Sequence, residues 1–219
     1  MKLSAKMDIT EVNHLLAQRY GRREWYPHRD PLSVLIGTIL SQNTSDVNSK
    51  RAFASLTNTF KSWEAIAVAE PEKIEQAIKC GGLSRIKAVR IKAILQMILK
   101  MRGSLDLTFL AGLPLPEAKA WLRSLPGVGP KTAGCVLLFS LGRPVLPVDT
   151  HVYRIAKRLK LIGDKVSVEE AHEILERMLP PEDIYQFHLN MIEHGRQVCR
   201  ARHPRCAECV LNKGCPSRQ

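Results

Sequence analysis

Apolar residues recur at helical spacing along almost the whole chain, and no segment of useful length alternates apolar and polar positions as a strand does. Positions 32–40 are apolar on nearly all sides, which is typical of a helix buried at the centre of a domain. The same period continues over a long segment, 84–101, and a basic amphipathic helix is predicted after position 149. We therefore predict an all-α fold.

Capping residues mark several helix ends. Asp8 or Thr10 opens the first predicted helix, and Asp30-Pro31 reads as the cap and first residue of the second. Ser84 reads as the cap of the long helix. That helix carries four cations, most of which we expect to be solvated: Lys87, Arg90, Lys92 and Lys100.

Two short apolar helices, separated by a glycine turn, form a predicted hairpin. The first ends at Pro126, the turn is Gly127-Val128-Gly129, and the second begins around Lys131. Glycine adopts positive φ easily and leaves backbone N–H groups open. At the start of a helix such groups attract an anion, so the turn predicts a contact with a DNA phosphate.

Two ionisable residues in this region have no evident packing role. Lys131 lies in the first turn of its helix, and a lysine amine in its neutral form can act as a nucleophile. Asp149 precedes Thr150 and reads as the cap of the next helix. Taken alone, the pattern favours a solvated phosphate contact for Lys131 and a plain cap for Asp149.

The composition indicates a globular protein with a polyanionic partner. The 219 residues are 45% hydrophobic and carry 33 Lys+Arg against 21 Asp+Glu, a net charge of +12. This excess favours nucleic acid, and no apolar run is long enough to suggest a membrane protein. The amino-terminal ten residues lack the apolar core of a signal peptide, so we expect an intracellular protein, in the cytoplasm near the nucleoid.

Two turns contain residues suited to a base stack. Gln42 and Asn43 follow the buried second helix, and their amides have the donors and acceptors that read a base edge. From spacing alone, a plain loop capped by Ser45 or Asp46 is favoured. Leu83, after two glycines, is either a loop residue folded inward or an exposed wedge.

Four cysteines close the chain in the pattern Cys-x6-Cys-x2-Cys-x5-Cys: Cys199, Cys206, Cys209 and Cys215. A short loop-rich segment of this kind orders itself poorly without a metal. Four thiolates suit tetrahedral zinc or a [4Fe–4S] cluster. Zinc ligands usually form two close pairs, whereas only one close pair is present, which favours the cluster.

The motifs LPGVGPKTA, VDTH and the four spaced cysteines, in this order, resemble endonuclease III, a family of bifunctional DNA glycosylases in the helix–hairpin–helix, Gly/Pro-Asp superfamily. The resemblance covers nearly the whole chain. It implies two helical domains that flank a DNA-binding cleft, 25–143 with the hairpin, and 1–24 joined to 144–219 with a [4Fe–4S] cluster on the four cysteines. It also implies a monomer that acts on double-stranded DNA containing damaged bases or abasic sites, with no membrane contact.

The resemblance gives the site residues their roles. Lys131 attacks the sugar and Asp149 assists, which reverses the plainer reading of both residues. Gly127, Val128 and Gly129 hold the DNA backbone, and Leu83 is the wedge. A gapless match places Asn43 where the family carries the gap-filling Gln, with Gln42 just before it. We also predict that His151 and Arg154 of the following helix contact DNA.

The implied activity is removal of oxidised pyrimidines followed by β-elimination 3′ to the abasic site. Two alternatives stay open. One is a glycosylase for mismatched or otherwise damaged bases in the same superfamily. The other is a non-catalytic DNA-binding module with a zinc site on the cysteines.

Overall fold

The computed structural model describes residues 7–218; residue 219 and residues 1–6, part of the amino-terminal stretch considered above, lie outside the described range. No strand occurs within that range, and the all-α prediction is confirmed. The eleven helices of the described chain are α1 (Ile9–Tyr20), α2 (Pro31–Ser41), α3 (Asp46–Thr59), α4 (Trp63–Val68), α5 (Pro71–Ala77), α6 (Ser84–Arg102), α7 (Leu115–Arg123), α8 (Pro130–Leu141), α9 (Thr150–Arg158), α10 (Val168–Arg177) and α11 (Ile184–Gln197).

The chain divides into two compact units, Pro27–Arg143 and a discontinuous unit made of residues up to Tyr26 and from Pro144 onward. The first unit is built around α2 and α8, which pack against each other. Both helices bury most of their residues, and burial of this apolar surface supplies most of the stabilisation. Helices α4 and α5 pack on α6, α3 packs on α2, and α7 packs on α8.

In the discontinuous unit, α11 is the central helix and contacts both α1 and α9. The Tyr20 hydroxyl lies 2.9 Å from His194 Nδ1, and Arg23 Nε donates to Asn190 Oδ1 at 2.8 Å. These bonds fix the end of α1 and the residues after it to α11.

Caps account for many helix boundaries. The carboxylates of Asp8 and Asp30 accept backbone N–H bonds at the starts of α1 and α2, and the capping box of Ser167 and Glu170 is present at α10. The prediction for Ser84 was wrong. Leu83 occupies the cap position, while Ser84 is the first helical residue and donates its hydroxyl to Glu75 at 3.2 Å.

Candidate active site and DNA interface

The glycine turn between α7 and α8 has positive φ at Gly127 but not at Gly129, which is extended at φ −90°. Gly127 has φ +72°, and the Val128 N–H donates to the Leu125 carbonyl at 3.2 Å. Within residues 7–218, the N–H groups of Gly127 and Gly129 donate to no acceptor. Val128 as a whole residue is only 5% exposed, so it offers DNA little surface of its own.

Lys131 is the second residue of α8 and stands out from a buried surround. Its side chain is partly exposed, whereas the following residues from Thr132 to Leu138 are buried. No hydrogen bond or ion pair joins the Lys131 amine to any of the described residues. Helix α8 therefore holds Lys131 at the positive end of the helix dipole, and the residues that follow Lys131 are buried in the core.

Asp149 caps α9, in the discontinuous unit. Its Oδ1 accepts from the N–H groups of His151 at 2.9 Å and Val152 at 2.8 Å. The described part of the chain donates no hydrogen bond to Oδ2. The buried residues Val145–Val148 lead into this cap, and Glu176 of α10 accepts the Leu146 N–H at 3.0 Å. One carboxylate oxygen is thus fixed by the backbone, while the other accepts no hydrogen bond from the described residues.

The structure gives His151 and Arg154 internal contacts that the sequence did not indicate. Arg154 donates to the carbonyls of Cys199, at 2.9 Å, and of Gly195, at 3.0 Å. His151 packs so closely on Gly195 that a Cβ there would lie 2.6 Å from its Nδ1. These residues tie α9 to the segment that carries the cysteines, and their contact with DNA stays a prediction.

The turn after α2 separates the roles of its two amides. Gln42 ends α2, and its Oε1 accepts from Arg90 at 2.8 Å. Asn43 has φ +52° and is exposed. The left-handed conformation suits asparagine better than most residues, and it turns the Asn43 side chain out of the helix path. Asn43 is therefore presented to solvent, whereas Gln42 is partly held by its neighbour.

Leu83 is exposed rather than folded inward. Its side chain is 51% exposed, and its backbone is left-handed at φ +49° and ψ +35°. A leucine in this conformation carries a steric cost that a loop without a function rarely retains. The exposed-wedge alternative is the one that this geometry supports.

From the sequence, most cations of α6 are expected to be solvated, but two of them are held by other parts of the chain. Lys87 is 2% exposed, and its amine donates to the carbonyls of Leu40, at 2.8 Å, and Gly81, at 2.9 Å. Arg90 is partly buried and bonds Gln42. Burial lowers the pKa of Lys87. Helical spacing alone gave no signal for these contacts, because Leu40 and Gln42 are remote in sequence and Gly81 lies outside the helix.

The four carboxy-terminal cysteines line one small cavity, together with Arg158 and Arg205. All four are free thiols. Arg158 donates to Cys199 Sγ at 3.2 Å. Burial raises the pKa of the Cys209 thiol to about 11 and also raises the pKa of Cys215. Binding a metal group as thiolates would therefore release protons.

No three His, Cys, Asp or Glu side chains of the described residues are placed to hold a single metal ion. None of the described helices is both long and apolar enough to cross a membrane.

Comparison with known proteins identifies the family. A family model described as HhH-GPD superfamily base excision DNA repair protein matches residues 36–181. The chain belongs to the HhH-GPD superfamily. That match contains the hairpin, Lys131 and Asp149, and it ends before the first of the four cysteines.

Relatives extend the similarity beyond the HhH-GPD match. The chain is 36% identical to endonuclease III of Thermotoga maritima over 208 residues, 94% of this chain and 92% of that one. It is 41% identical to a candidate DNA glycosylase of Arabidopsis thaliana over 185 residues, 84% of this chain, and it spans only 60% of that protein's length. A trapped covalent complex of endonuclease III with DNA matches with a TM-score of 0.82 and 30% identity, over 95% of this chain and 94% of that chain.

Proposed function

We propose that this HhH-GPD protein is a base-excision DNA glycosylase with AP lyase activity, of the endonuclease III type. The observation that carries the proposal is Lys131, a partly exposed amine with no partner among the described residues, at the start of the helix that follows the hairpin. The endonuclease III relatives and the net charge of +12 support the same substrate, duplex DNA.

In the proposed reaction, the damaged nucleotide is flipped out of the duplex. The neutral Lys131 amine attacks C1′ of the sugar, the N-glycosidic bond breaks, and the base leaves with the bonding electron pair. Ring opening at C1′ gives a Schiff base between the lysine and the sugar. Loss of a proton from C2′ then expels the 3′ phosphate, which cleaves the strand by β-elimination.

We infer that Asp149 assists at the same sugar. Its Oδ1 is committed to the cap of α9, and Oδ2 is available to accept a proton from the attacking amine or to stabilise positive charge on the sugar. The division of labour between the two oxygens explains how one residue both caps a helix and takes part in catalysis.

The hairpin supplies a phosphate contact next to the nucleophile. The open N–H groups of Gly127 and Gly129 and the start of α8 favour an anion, with no base being read. This contact would fix the register of the strand, while Asn43 and Leu83 fill the gap left by the flipped base. Both side chains are exposed on left-handed residues.

We propose a [4Fe–4S] cluster on Cys199, Cys206, Cys209 and Cys215. The donor set fits, since four free thiols line one cavity beside Arg158, Arg205 and Arg218, which would offset thiolate charge. A zinc ion, with Zn–S bonds of about 2.3 Å, needs its ligands gathered around one point. Zinc ligands also usually form two close pairs in sequence, whereas only Cys206 and Cys209 form one, which favours the cluster. When bound, the cluster would supply order to the carboxy-terminal segment.

Oxidised or ring-saturated pyrimidines are the proposed substrates. They are non-aromatic and stack poorly, so flipping them costs less free energy. An amine nucleophile also does not depend on protonation of a purine leaving group. The chain offers few aromatic side chains, 5% of its residues, to clamp a flipped purine.

A panel of single-lesion duplexes tests this function. We expect release of thymine glycol or dihydrouracil opposite a normal purine, followed by strand cleavage in the same reaction. Intact and mismatched duplexes of the same sequence are the controls. Preferential removal of undamaged adenine or thymine from a mismatch, without strand cleavage, would support the monofunctional alternative instead.

A further inference from the structure

The first two turns of α6 are joined to three separate segments of the unit 27–143. Lys87, 2% exposed, donates to the carbonyls of Leu40 and Gly81 at 2.8 and 2.9 Å. Leu40 lies near the end of α2, and Gly81 ends the short helical turn before α6. One buried ammonium therefore bonds the backbone two or three positions before each of the two exposed residues, Leu83 and Asn43.

Arg90, one turn further along α6, contacts both the turn after α2 and the third segment, the hairpin turn at Gly127. Its Nη1 donates to Gln42 Oε1 at 2.8 Å, so it holds the residue directly before Asn43. A Cβ built on Gly127 would lie 2.3 Å from Arg90 Nε and 2.7 Å from its Cζ. The guanidinium group therefore lies against the bare backbone of the hairpin turn and bonds the Gln42 amide at the same time.

The side-chain chemistry explains why this position holds an arginine. A guanidinium is planar and has several donors in fixed directions, so it can lie flat on a glycine while one N–H donates sideways. A lysine ammonium is a compact point charge. It could donate a hydrogen bond to the Gln42 amide oxygen without covering Gly127. The left-handed backbone of Gly127, at φ +72°, excludes a side chain that would displace the guanidinium.

We propose that Arg90 is a positioning residue for lesion recognition, which holds the turn carrying Asn43 in a fixed relation to the hairpin turn. This inference rests on the proposed function, because it gives Asn43 to the vacated stack and the hairpin to the DNA backbone. Both must engage the same strand segment at once. Holding them in place before DNA arrives removes an ordering cost from binding, and that saving applies only where a gap exists to be filled.

Binding preference measures this role without any chemical step. The probes are two duplexes of one sequence, one intact and one with a tetrahydrofuran abasic analogue, and the readout is the ratio of their Kd values. We expect Arg90→Met to reduce the wild-type preference for the abasic duplex about tenfold, equivalent to about 1.4 kcal/mol. The Kd for the intact duplex should change less than about threefold, since the variant removes one cation among many.

Arg85→Met is the matched control, because it removes an exposed cation from the same helix that touches neither turn. It should leave the preference ratio unchanged. Arg90→Lys should recover part of the preference by restoring the bond to Gln42. Gln42→Met should reduce the preference, and adding Arg90→Met to it should cost less than the product of the two single effects.

An Arg90→Met protein that weakens both duplexes equally has a merely structural or phosphate-binding defect, and this would overturn the inference. So would a wild-type protein with no preference for the abasic duplex. If the wild-type protein prefers the abasic duplex and Arg90→Met loses that preference, the inference stands even where no lesion is excised and the proposed function fails. If lesions are excised and the preference survives in Arg90→Met, the function stands and the inference fails.

Discussion

At the scale of single residues, Asp149 and Lys87 show what the sequence can and cannot indicate. The cap role of Asp149 follows from local sequence, because the residues that it bonds are two and three positions away. Lys87 gave no such signal, since its acceptors are the carbonyls of Leu40 and Gly81, and the first is remote in sequence. A charged side chain on a helix reads as solvated until the tertiary structure brings acceptors to it.

The two roles of Asp149 can be separated by substitution. In Asp149→Asn, the amide oxygen still accepts the backbone N–H bonds, so the free energy of unfolding should change by less than about 1 kcal/mol. Proton acceptance is lost, and single-turnover excision should slow about a hundredfold or more. Thermal melts and single-turnover kinetics measure the two effects. Wild-type turnover in this variant would leave Asp149 as a cap only.

At the scale of elements, the sequence predicted most helices because their apolar faces and caps are local features. It did not predict α4, Trp63–Val68, a helix too short to show a clear period. The hairpin was predicted from its glycines, and the structure separates their roles. Gly127 has a positive φ and is covered by Arg90, whereas Gly129 has φ −90° and nothing within 4 Å of a built Cβ.

These two glycines make a matched pair for mutation. Gly127→Ala places an L-residue in the left-handed region, at about 1–2 kcal/mol, and pushes Arg90 away. It should lower the free energy of unfolding by at least that amount and weaken binding to abasic duplex. Gly129→Ala should change stability by less than about 1 kcal/mol. Chemical denaturation compares the two; equal stability losses would contradict the assigned geometry.

The carboxy-terminal segment makes a prediction about metal content. The purified protein should be yellow-brown and contain iron rather than zinc. Cys209→Ser should lose iron and weaken DNA binding, because metal binding supplies the order of this segment. Cys80→Ser, at an exposed free thiol in the other unit, is the control and should keep its iron. Elemental analysis that finds one zinc and no iron per chain would refute the cluster.

At the scale of the whole molecule, the charge excess of +12 predicts that phosphate contacts dominate affinity. The Kd for intact duplex should rise at least tenfold between about 50 and 200 mM salt, as counterions compete for the same phosphates. A fluorescence titration over that range measures the slope. An affinity that does not depend on salt would make the basic excess incidental to DNA binding.

The sequence predicted the fold class and the functional class of the whole molecule, since the hairpin, Lys131, Asp149 and the cysteines each lie in compact motifs. What it missed is how the parts are held. Arg154 was predicted at DNA, yet its donors bond the carbonyls of Gly195 and Cys199. Such hydrogen bonds join segments that are remote in sequence, so local residue spacing does not predict them.

Borohydride trapping tests whether Lys131 is the nucleophile. Reduction of the Schiff base during reaction with an abasic-site duplex should give a stable protein–DNA adduct with the wild-type protein. Lys131→Ala should give none while keeping its affinity for the duplex, because the hairpin N–H groups remain. Lys100→Ala, an exposed lysine on α6, should trap like the wild type. An adduct that persists at wild-type yield in Lys131→Ala would show that another amine is the nucleophile.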